Sequence, residues 1–301
     1  MELGMIGMGR MGAPMAQRLL HGGHRVVGFA RNADALRRVA EIGAAPAASF
    51  DVLVNELKAP RAIWLMVPAG ASTEENIHTL GKLLTPGDIV VDGGNAYYRD
   101  SQRRGRLLAD KGIAFVDAGV SGGVWGLNQG YGLMLGGAHE QVDAILPLIR
   151  ALAPAPDKGW VYCGPSGAGH FVKMVHNGIE YGLMQAYAEG FSLLAAKQDL
   201  ELPLAEIAQA WCHGTVIRSW LLELTAGVLE DKASLATVAA RVADSGEGRW
   251  TAQEAIDLGI PTPVISAALM ARFSSQGGDD FGSRVLAMLR NCFGGHGLPR
   301  K

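Results

Sequence analysis

The segment from Gly167 to Tyr181 carries polar side chains whose types and spacing could do chemistry together. Four of them stand at positions i, i+3, i+4 and i+7 of a predicted helix and so share one face across two turns: Lys173, His176, Asn177 and Glu180. The residues between them are apolar, which predicts that the rest of the helix faces a core. A polar stripe on a buried helix needs a polar partner.

Lys173 and Glu180 are the residues of this stripe that could transfer protons. A lysine is costly to desolvate alone, and a carboxylate two turns away is too far for a direct ion pair within the helix. We therefore expect a substrate between them. Such a setting can lower a lysine pKa from about 10.4 toward neutrality, as a general base requires. The alternative is an interdomain helix whose polar face is only solvated or buttressed.

Composition limits the class of protein and of partner. A chain of 301 residues predicts about two domains, and 49% hydrophobic with 19% charged residues describes a compact globular protein. A formal net charge of -2 gives no general attraction to nucleic acid or to an anionic membrane. We expect a small-molecule partner.

Cysteine and histidine usage predicts neither disulfides nor a metal. The three cysteines, Cys163, Cys212 and Cys292, are far apart and form no C-x-x-C motif. No histidine pair joins a carboxylate or thiol at ligand spacing. The first residues lack a basic signal-peptide region, and no apolar run approaches the roughly 20 residues of a membrane span. We expect a cytoplasmic protein without a metal.

A glycine-rich motif follows the first predicted strand, residues 3–8, and precedes a helical pattern. Its G-x-G-x-x-G sequence consists of Gly7, Met8, Gly9, Arg10, Met11 and Gly12. At a strand-to-helix junction these glycines allow a tight turn, the close approach of a pyrophosphate and helix packing. The pyrophosphate would then rest on the N–H groups at the helix N-terminus. The alternative is a simple tight connection.

The residues that follow the second predicted strand, residues 25–30, indicate which cofactor binds. Arg31 and Asn32 stand where an NAD site usually has an acid for the ribose 2′-hydroxyl. An arginine there can bind a 2′-phosphate, which favours NADP; it could also be a surface residue without a ligand. Asp34, expected in a helix cap, keeps NAD possible.

Further short apolar runs alternate with helical or turn-rich segments. They cover residues 62–67, 89–92, 114–116 and 133–135, and this alternation predicts a Rossmann-type, doubly wound parallel sheet. Ligands bind at the carboxyl ends of such strands, so Val67, Pro68 and Asn95 are candidate cofactor residues. Asn95 could instead make an Asx turn.

Anion-binding residues are predicted beyond the cofactor loop. Ser121, Gly122 and Gly123 present a hydroxyl and successive N–H groups, which suit a carboxylate but also a plain turn. Arg249 and Arg272 lie beside aromatic residues and could be phosphate ligands or surface cations.

From residue 166 onward helical patterns dominate, over residues 179–196, 204–213, 217–229 and 263–273. We predict a dinucleotide-binding Rossmann domain over 1–163 and an all-helical substrate and dimerisation domain with a C-terminal tail over 164–301.

Assembled, these stretches resemble the decarboxylating 6-phosphogluconate dehydrogenases, in their short form, over essentially the whole chain. The glycine loop is shared with the wider β-hydroxyacid dehydrogenase superfamily. The discriminating motifs are Asp92-Gly93-Gly94-Asn95, Gly119-Val120-Ser121-Gly122-Gly123, and Gly167 to Tyr181 continuing to Gln185.

The resemblance implies oxidative decarboxylation of 6-phosphogluconate to ribulose 5-phosphate and CO2 in the pentose phosphate pathway. Lys173 would be the general base and Glu180 the general acid. The sugar acid would be held by Asn95, Ser121, Gly122, Gly123, His176 and Asn177, and its phosphate by Tyr181, Arg249, Thr251 and Arg272. Asn95 would also contact the cofactor, NADP or NAD.

The resemblance also implies a homodimer or homotetramer in which Arg290 and His296 of the tail reach a neighbouring subunit's site. The longer family members have a second helical half that is missing here, so subunit contacts must differ. Ala30 and Asn32 also depart from residues common in NADP-using relatives. Two alternatives stay open: a β-hydroxyacid dehydrogenase for a small unphosphorylated acid, and a non-catalytic dinucleotide sensor.

Overall fold

The computed structural model describes residues 1–277. The chain forms two compact units, Met1–His176 and a second that begins at Asn177. One helix of 29 residues, Ala168–Ala196, runs across this division. The predicted residues Arg290 and His296 lie outside the described residues, as does Cys292.

The first unit is built on one eight-stranded sheet with the order β3-β2-β1-β4-β5-β6-β7-β8. Its strands are β1 Glu2–Ile6, β2 Arg25–Phe29, β3 Ala45–Ala47, β4 Ala62–Leu65, β5 Ile89–Asp92, β6 Ala114–Ser121, β7 Gly132–Gly136 and β8 Trp160–Gly164. The first six strands are parallel and follow the order of the doubly wound dinucleotide-binding fold. The Rossmann-type prediction is therefore confirmed.

The predicted run at residues 133–135 departs from the parallel pattern. It belongs to β7, which is antiparallel to β6. The connection from Ser121 to Gly132 contains only a 3₁₀ turn and one short helix, and a crossover between parallel strands needs about a dozen residues or more. The chain therefore turns back, and β8 then pairs with β7 in parallel.

Helices cover both faces of this sheet. They are α1 Gly12–His21, α2 Ala33–Glu41, α3 Phe50–Asn55, α4 Ala71–Leu83, α5 Tyr98–Ala109, α6 Gly126–Gln129, α7 His139–Ala144 and α8 Leu146–Leu152. Alternate strand residues enter two separate apolar clusters, Met5 and Trp64 in one, Ile6 and Leu65 in the other. This alternation explains the nearly continuous apolar sequences of the central strands.

A capping residue fixes where α2 begins. The Ala35 N–H donates to Asn32 Oδ1 at 2.9 Å, so Asn32 is the N-cap of α2. The predicted cap, Asp34, is wrong: it lies within the first turn and forms an ion pair with Arg37. Short polar side chains favour the cap because they accept from N–H groups without helical partners.

The second unit is helical among the residues described. After α9, which is Ala168–Ala196, it contains α10 Leu204–Trp211, α11 Trp220–Glu230, α12 Lys232–Thr237, α13 Glu247–Leu258 and α14 Pro263–Gln276. The sequence patterns did not predict α12, α13, β3 or β8. The strand β3 is only Ala-Pro-Ala, too short to show a periodicity. Within residues 1–277 no helix is long and apolar enough to cross a membrane.

Candidate functional site

The glycine loop connects β1 to α1, and each of its glycines has a different reason to lack a side chain. Gly7 has φ +100°, and a Cβ there would overlap the Met66 carbonyl. A Cβ on Gly12 would overlap the Gly7 carbonyl, whereas a Cβ on Gly9 would meet nothing within 4 Å. Gly7 and Gly12 therefore make the turn tight, and Gly9 leaves open space where a diphosphate can approach the backbone.

A cavity of about 290 Å³ opens at the carboxyl ends of β1, β2 and β4. Its lining includes five residues predicted to bind cofactor: Gly7, Met8, Arg31, Val67 and Pro68. The position beside β1 and β4 is the topological switch point, where this fold binds dinucleotides. The cavity and the open space at Gly9 therefore agree in position with a dinucleotide site, of which the cavity would hold one part.

Sequence reasoning missed Ser72 and Asn76, which also line the cavity from α4. The signal was available, because α4 follows the predicted strand end at Val67 and Pro68. In contrast, Gly9, Arg10, Met11 and Gly12 are not among the lining residues, although they belong to the adjoining loop and the start of α1.

Arg31 and Asn32 differ in what their side chains do. Arg31 is exposed and lines the cavity, which places a guanidinium at the end of β2. The Asn32 side chain caps α2 instead. The Asp34 carboxylate is paired with Arg37, and it is not among the groups that line the cavity.

Asn95 connects the ends of β5 and β6. Its Nδ2 donates to the Val120 carbonyl at 3.1 Å, and the Val120 N–H donates to its Oδ1 at 3.0 Å. The amide therefore holds the loop after β5 beside the predicted anion-binding segment. In that segment Ser121 ends β6, and Gly122 and Gly123 have φ values of 123° and 53°, which glycine adopts readily.

The polar face predicted for residues 173–180 lies on a continuous helix, α9. Lys173 is 5% exposed and belongs to the first unit. A Cβ on Gly119 would overlap Lys173 Cβ, so the helix lies directly against β6 at this point. His176, Asn177 and Glu180 are half-buried, and a rise of about 1.5 Å per residue separates Lys173 from Glu180 by about 10 Å along the helix axis.

In the second unit the predicted phosphate residues Tyr181 and Arg249 both contact Asp244, and Arg272 stacks on Tyr181. The Arg272 guanidinium carbon lies 3.3 Å from the centre of the buried Tyr181 ring, a cation–π contact. Arg249 donates to Asp244 Oδ2 at 2.7 Å, and the Tyr181 hydroxyl lies 3.4 Å from Asp244 Oδ1 and 3.1 Å from Ser245 Oγ.

Thr251, the fourth predicted phosphate residue, packs against Gly178 of α9. Its side chain is buried, donates to the Glu247 carbonyl at 2.8 Å and lies where a Cβ on Gly178 would overlap it. Sequence reasoning missed Asp244 and Ser245. The Asp244 carboxylate pairs with Arg249, so it balances part of the charge of that guanidinium and orients it.

The fold and the glycine loop define a Rossmann-type protein that binds a nicotinamide dinucleotide and carries a helical second unit. The family model described as the NAD binding domain of 6-phosphogluconate dehydrogenase matches residues 2–164. The model of the 6-phosphogluconate dehydrogenase C-terminal domain matches residues 169–296. The chain belongs to the 6-phosphogluconate dehydrogenase family and is an NAD(P)-dependent oxidoreductase.

Individual relatives agree with this assignment. The chain is 44% identical to the NAD(+)-dependent decarboxylating 6-phosphogluconate dehydrogenase of Haloferax volcanii, with 100% of this chain and 99% of the relative covered. It is 37% identical to the NADP(+)-dependent decarboxylating enzyme of Bacillus subtilis, over 91% of this chain and 61% of that protein. The prediction of a nicotinamide dinucleotide cofactor is confirmed.

A solved structure shows the same architecture. Plasmodium falciparum 6-phosphogluconate dehydrogenase, described with NADP+ and with 6-phosphogluconate, superimposes with a TM-score of 0.83 at 30% identity. The match covers 100% of this chain and 66% of that one. The suspected family is thus confirmed by sequence and by fold.

Proposed function

We propose that the chain converts 6-phosphogluconate to ribulose 5-phosphate and CO2 while reducing NADP or NAD, a reaction of the pentose phosphate pathway. The observation that carries the proposal is the cluster of Tyr181, Arg249 and Arg272. Two guanidiniums beside a buried phenol suit a phosphate monoester. A small unphosphorylated hydroxy acid would not need them.

The proposed chemistry uses the polar face of α9. Lys173 accepts the proton of the C3 hydroxyl, and the bound nicotinamide supplies the hydride acceptor for C3. The resulting 3-keto acid loses its carboxylate as CO2. Protonated Lys173 stabilises the oxygen at C3, and Glu180 protonates the carbon that becomes C1 of ribulose 5-phosphate.

Other side chains would hold the sugar acid in place. We assign its carboxylate and hydroxyls to Ser121, Gly122, Gly123, His176 and Asn177, and its phosphate also to Thr251. Asn95 reaches the same region through its bonds with Val120. Arg290 and His296 stay predicted ligands from a neighbouring subunit.

A homo-oligomer is part of the proposal, and exposed residues on α9 support it. Five exposed positions repeat at intervals of four and three: Ile179, Leu183, Ala186, Gly190 and Leu193. The large ones are exposed by 53%, 45% and 74%. This is the repeat with which helices associate, and we refer to it as the α9 stripe.

Product analysis tests the reaction. The purified chain is incubated with 6-phosphogluconate labelled at C1 and either cofactor, and labelled CO2, ribulose 5-phosphate and reduced cofactor are measured. We expect the three in equal amounts, and much slower turnover of gluconate because it lacks the phosphate. Cofactor reduction on 3-hydroxyisobutyrate, without CO2 from 6-phosphogluconate, would show that the proposal is wrong.

The cofactor preference has its own test. Arg31 places a guanidinium in the cavity lining, and none of the lining residues within 1–277 is a carboxylate, so we expect NADP to be preferred. The variant Arg31→Ala should reduce kcat/KM for NADP by about tenfold or more, as loss of a charged hydrogen bond predicts, with little change for NAD. Arg38→Ala, at an exposed arginine on α2 that is not among the residues lining the cavity, is the matched control. An NAD preference that Arg31→Ala leaves unchanged would refute the phosphate contact.

A further inference from the structure

A buried carboxylate on β6 is not used by the proposed reaction. Asp117 is fully buried. Its Oδ1 accepts the Gly167 N–H at 2.6 Å, and its Oδ2 accepts the His170 N–H at 2.9 Å. Both N–H groups lie at the start of α9, where a helix lacks internal acceptors. The carboxylate also meets the positive end of the helix dipole, so the sheet itself caps α9 with a charge.

A second bond fixes the same turn. His170 is buried, and its Nδ1 lies 2.7 Å from Ser101 Oγ on α5. His170 thus connects α9 to β6 through its main chain and to α5 through its ring. The first turn of α9 cannot shift without breaking buried hydrogen bonds on two sides, which is costly.

The glycines around this turn leave no room for movement toward the sheet. A Cβ on Gly169 would overlap the Met134 carbonyl and lie 2.5 Å from the Asp117 carbonyl. A Cβ on Gly136 would lie 2.6 Å from the Gly169 nitrogen. Main chain therefore lies against main chain, and one helical turn after His170 the Lys173 side chain starts in contact with Gly119.

We propose that Asp117 is a positioning residue for Lys173: its bonds to Gly167 and His170 set where the helix places the amine. The inference rests on the proposed function, in which Lys173 is the general base. The physical reason is the sensitivity of proton transfer to geometry. A displacement of about 1 Å can cost about 100-fold in rate, and a shift of the first turn carries Lys173 with it.

The test compares two buried aspartates that undergo the same change. Asp117→Asn keeps the shape but removes the charge and turns an amide N–H toward the helix. Asp88→Asn is the matched control, because Asp88 is also buried and accepts the N–H groups of Arg61 and Thr85 at 2.7 and 2.9 Å. We expect Asp117→Asn to lower kcat by about tenfold or more with unchanged cofactor Kd. Asp88→Asn should lower only the free energy of unfolding.

A second readout does not need turnover. The protein is treated with a lysine-acylating reagent in the absence of substrate. The rate at which Lys173 becomes acylated is measured by peptide mass spectrometry. We expect about tenfold faster labelling in Asp117→Asn than in the wild type or Asp88→Asn, because losing a charge-assisted bond favours local opening. If Asp117→Asn does not fold, Ser101→Ala replaces it, because this variant removes the hydrogen bond between Ser101 and His170. We expect Ser101→Ala also to lower kcat and to speed the labelling of Lys173.

The outcomes separate the two proposals. A wild type without turnover of 6-phosphogluconate rejects the proposed function, and the labelling rates then decide the role of Asp117. Unchanged labelling of Lys173 in Asp117→Asn overturns the positioning role. So does a kcat loss that is equal in Asp117→Asn and Asp88→Asn.

Discussion

The two ends of α9 contain the same type of residue in opposite surroundings. At the first end, Gly169 lies against main-chain atoms of β6 and β7, and a Cβ there would overlap them. Near the other end, Gly190 would place a Cβ in open space, among the exposed residues of the α9 stripe. One helix therefore combines a segment fixed by contact with the sheet and a segment whose apolar side chains remain available.

This difference suits the two roles proposed for the helix, catalysis in its first segment and subunit association in its second. Lys173 belongs to the fixed segment, where the Gly167 and His170 N–H groups donate to Asp117 and close glycine contacts oppose movement toward the sheet. Exposed apolar residues, in contrast, lower the free energy only when another surface covers them. The proposed catalytic and association roles thus require opposite degrees of burial, and a long helix can provide both.

The largest expected effect concerns the fixed segment. Lys173→Met should reduce kcat by at least about 100-fold, the usual contribution of a general base, with cofactor binding retained. Steady-state kinetics and cofactor titration measure the two quantities. Lys197→Met, at an exposed lysine just after the helix, is the control. Turnover that survives Lys173→Met would remove Lys173 from its proposed role.

Substitutions at Gly169 and Gly190 compare the two ends of α9 directly. Gly169→Ala should lower the free energy of unfolding by about 1–3 kcal/mol through overpacking. Gly190→Ala should raise it by up to about 1 kcal/mol, because alanine favours helix and nothing is displaced. Urea unfolding measures both. Equal effects at the two positions would contradict the contrast between the ends.

A smaller effect is expected at the exposed end. Leu193→Glu places a charge in the α9 stripe and should raise the subunit dissociation constant by about tenfold or more, because an unpaired charge is costly to bury. Analytical ultracentrifugation measures it. Leu235→Glu, at another exposed leucine, is the matched control. An unchanged sedimentation profile for Leu193→Glu would show that the stripe is not a subunit interface.

The smallest effect concerns the pH dependence of stability and the control residue Asp88 in the first unit. Burial opposes ionisation of Asp88, but hydrogen bonds from Thr85 and Arg61 outweigh it, so its pKa lies below the ordinary value of 3.8. Its ionised form therefore stabilises the folded state above that value, and this stabilisation is lost as pH falls through the lowered pKa. Asp88→Asn should be less stable than the wild type at neutral pH, with the difference shrinking in acid. Unfolding curves across pH test this, and a constant difference would contradict the cause.

Much of the cofactor region could be predicted because its signals are local. The G-x-G-x-x-G loop follows a strand within a few residues, and the helical face of Lys173 and Glu180 depends only on spacing. The run at residues 133–135 was predicted as part of a parallel sheet, and this direction was wrong for β7, since apolar runs show periodicity and not orientation. Asp244 was missed for a similar reason, because its contact with Tyr181 joins residues 63 positions apart in the sequence.

The sequence by itself determined the class of fold, the glycine loop and the order of polar groups along α9, because neighbouring residues fix turns and helical faces. Only the tertiary structure decided which groups meet across the chain. Asp117 accepts from Gly167 and His170, residues 50 and 53 positions away. A local sequence pattern cannot predict such a contact, because the contact depends on how the sheet and the helix pack against each other.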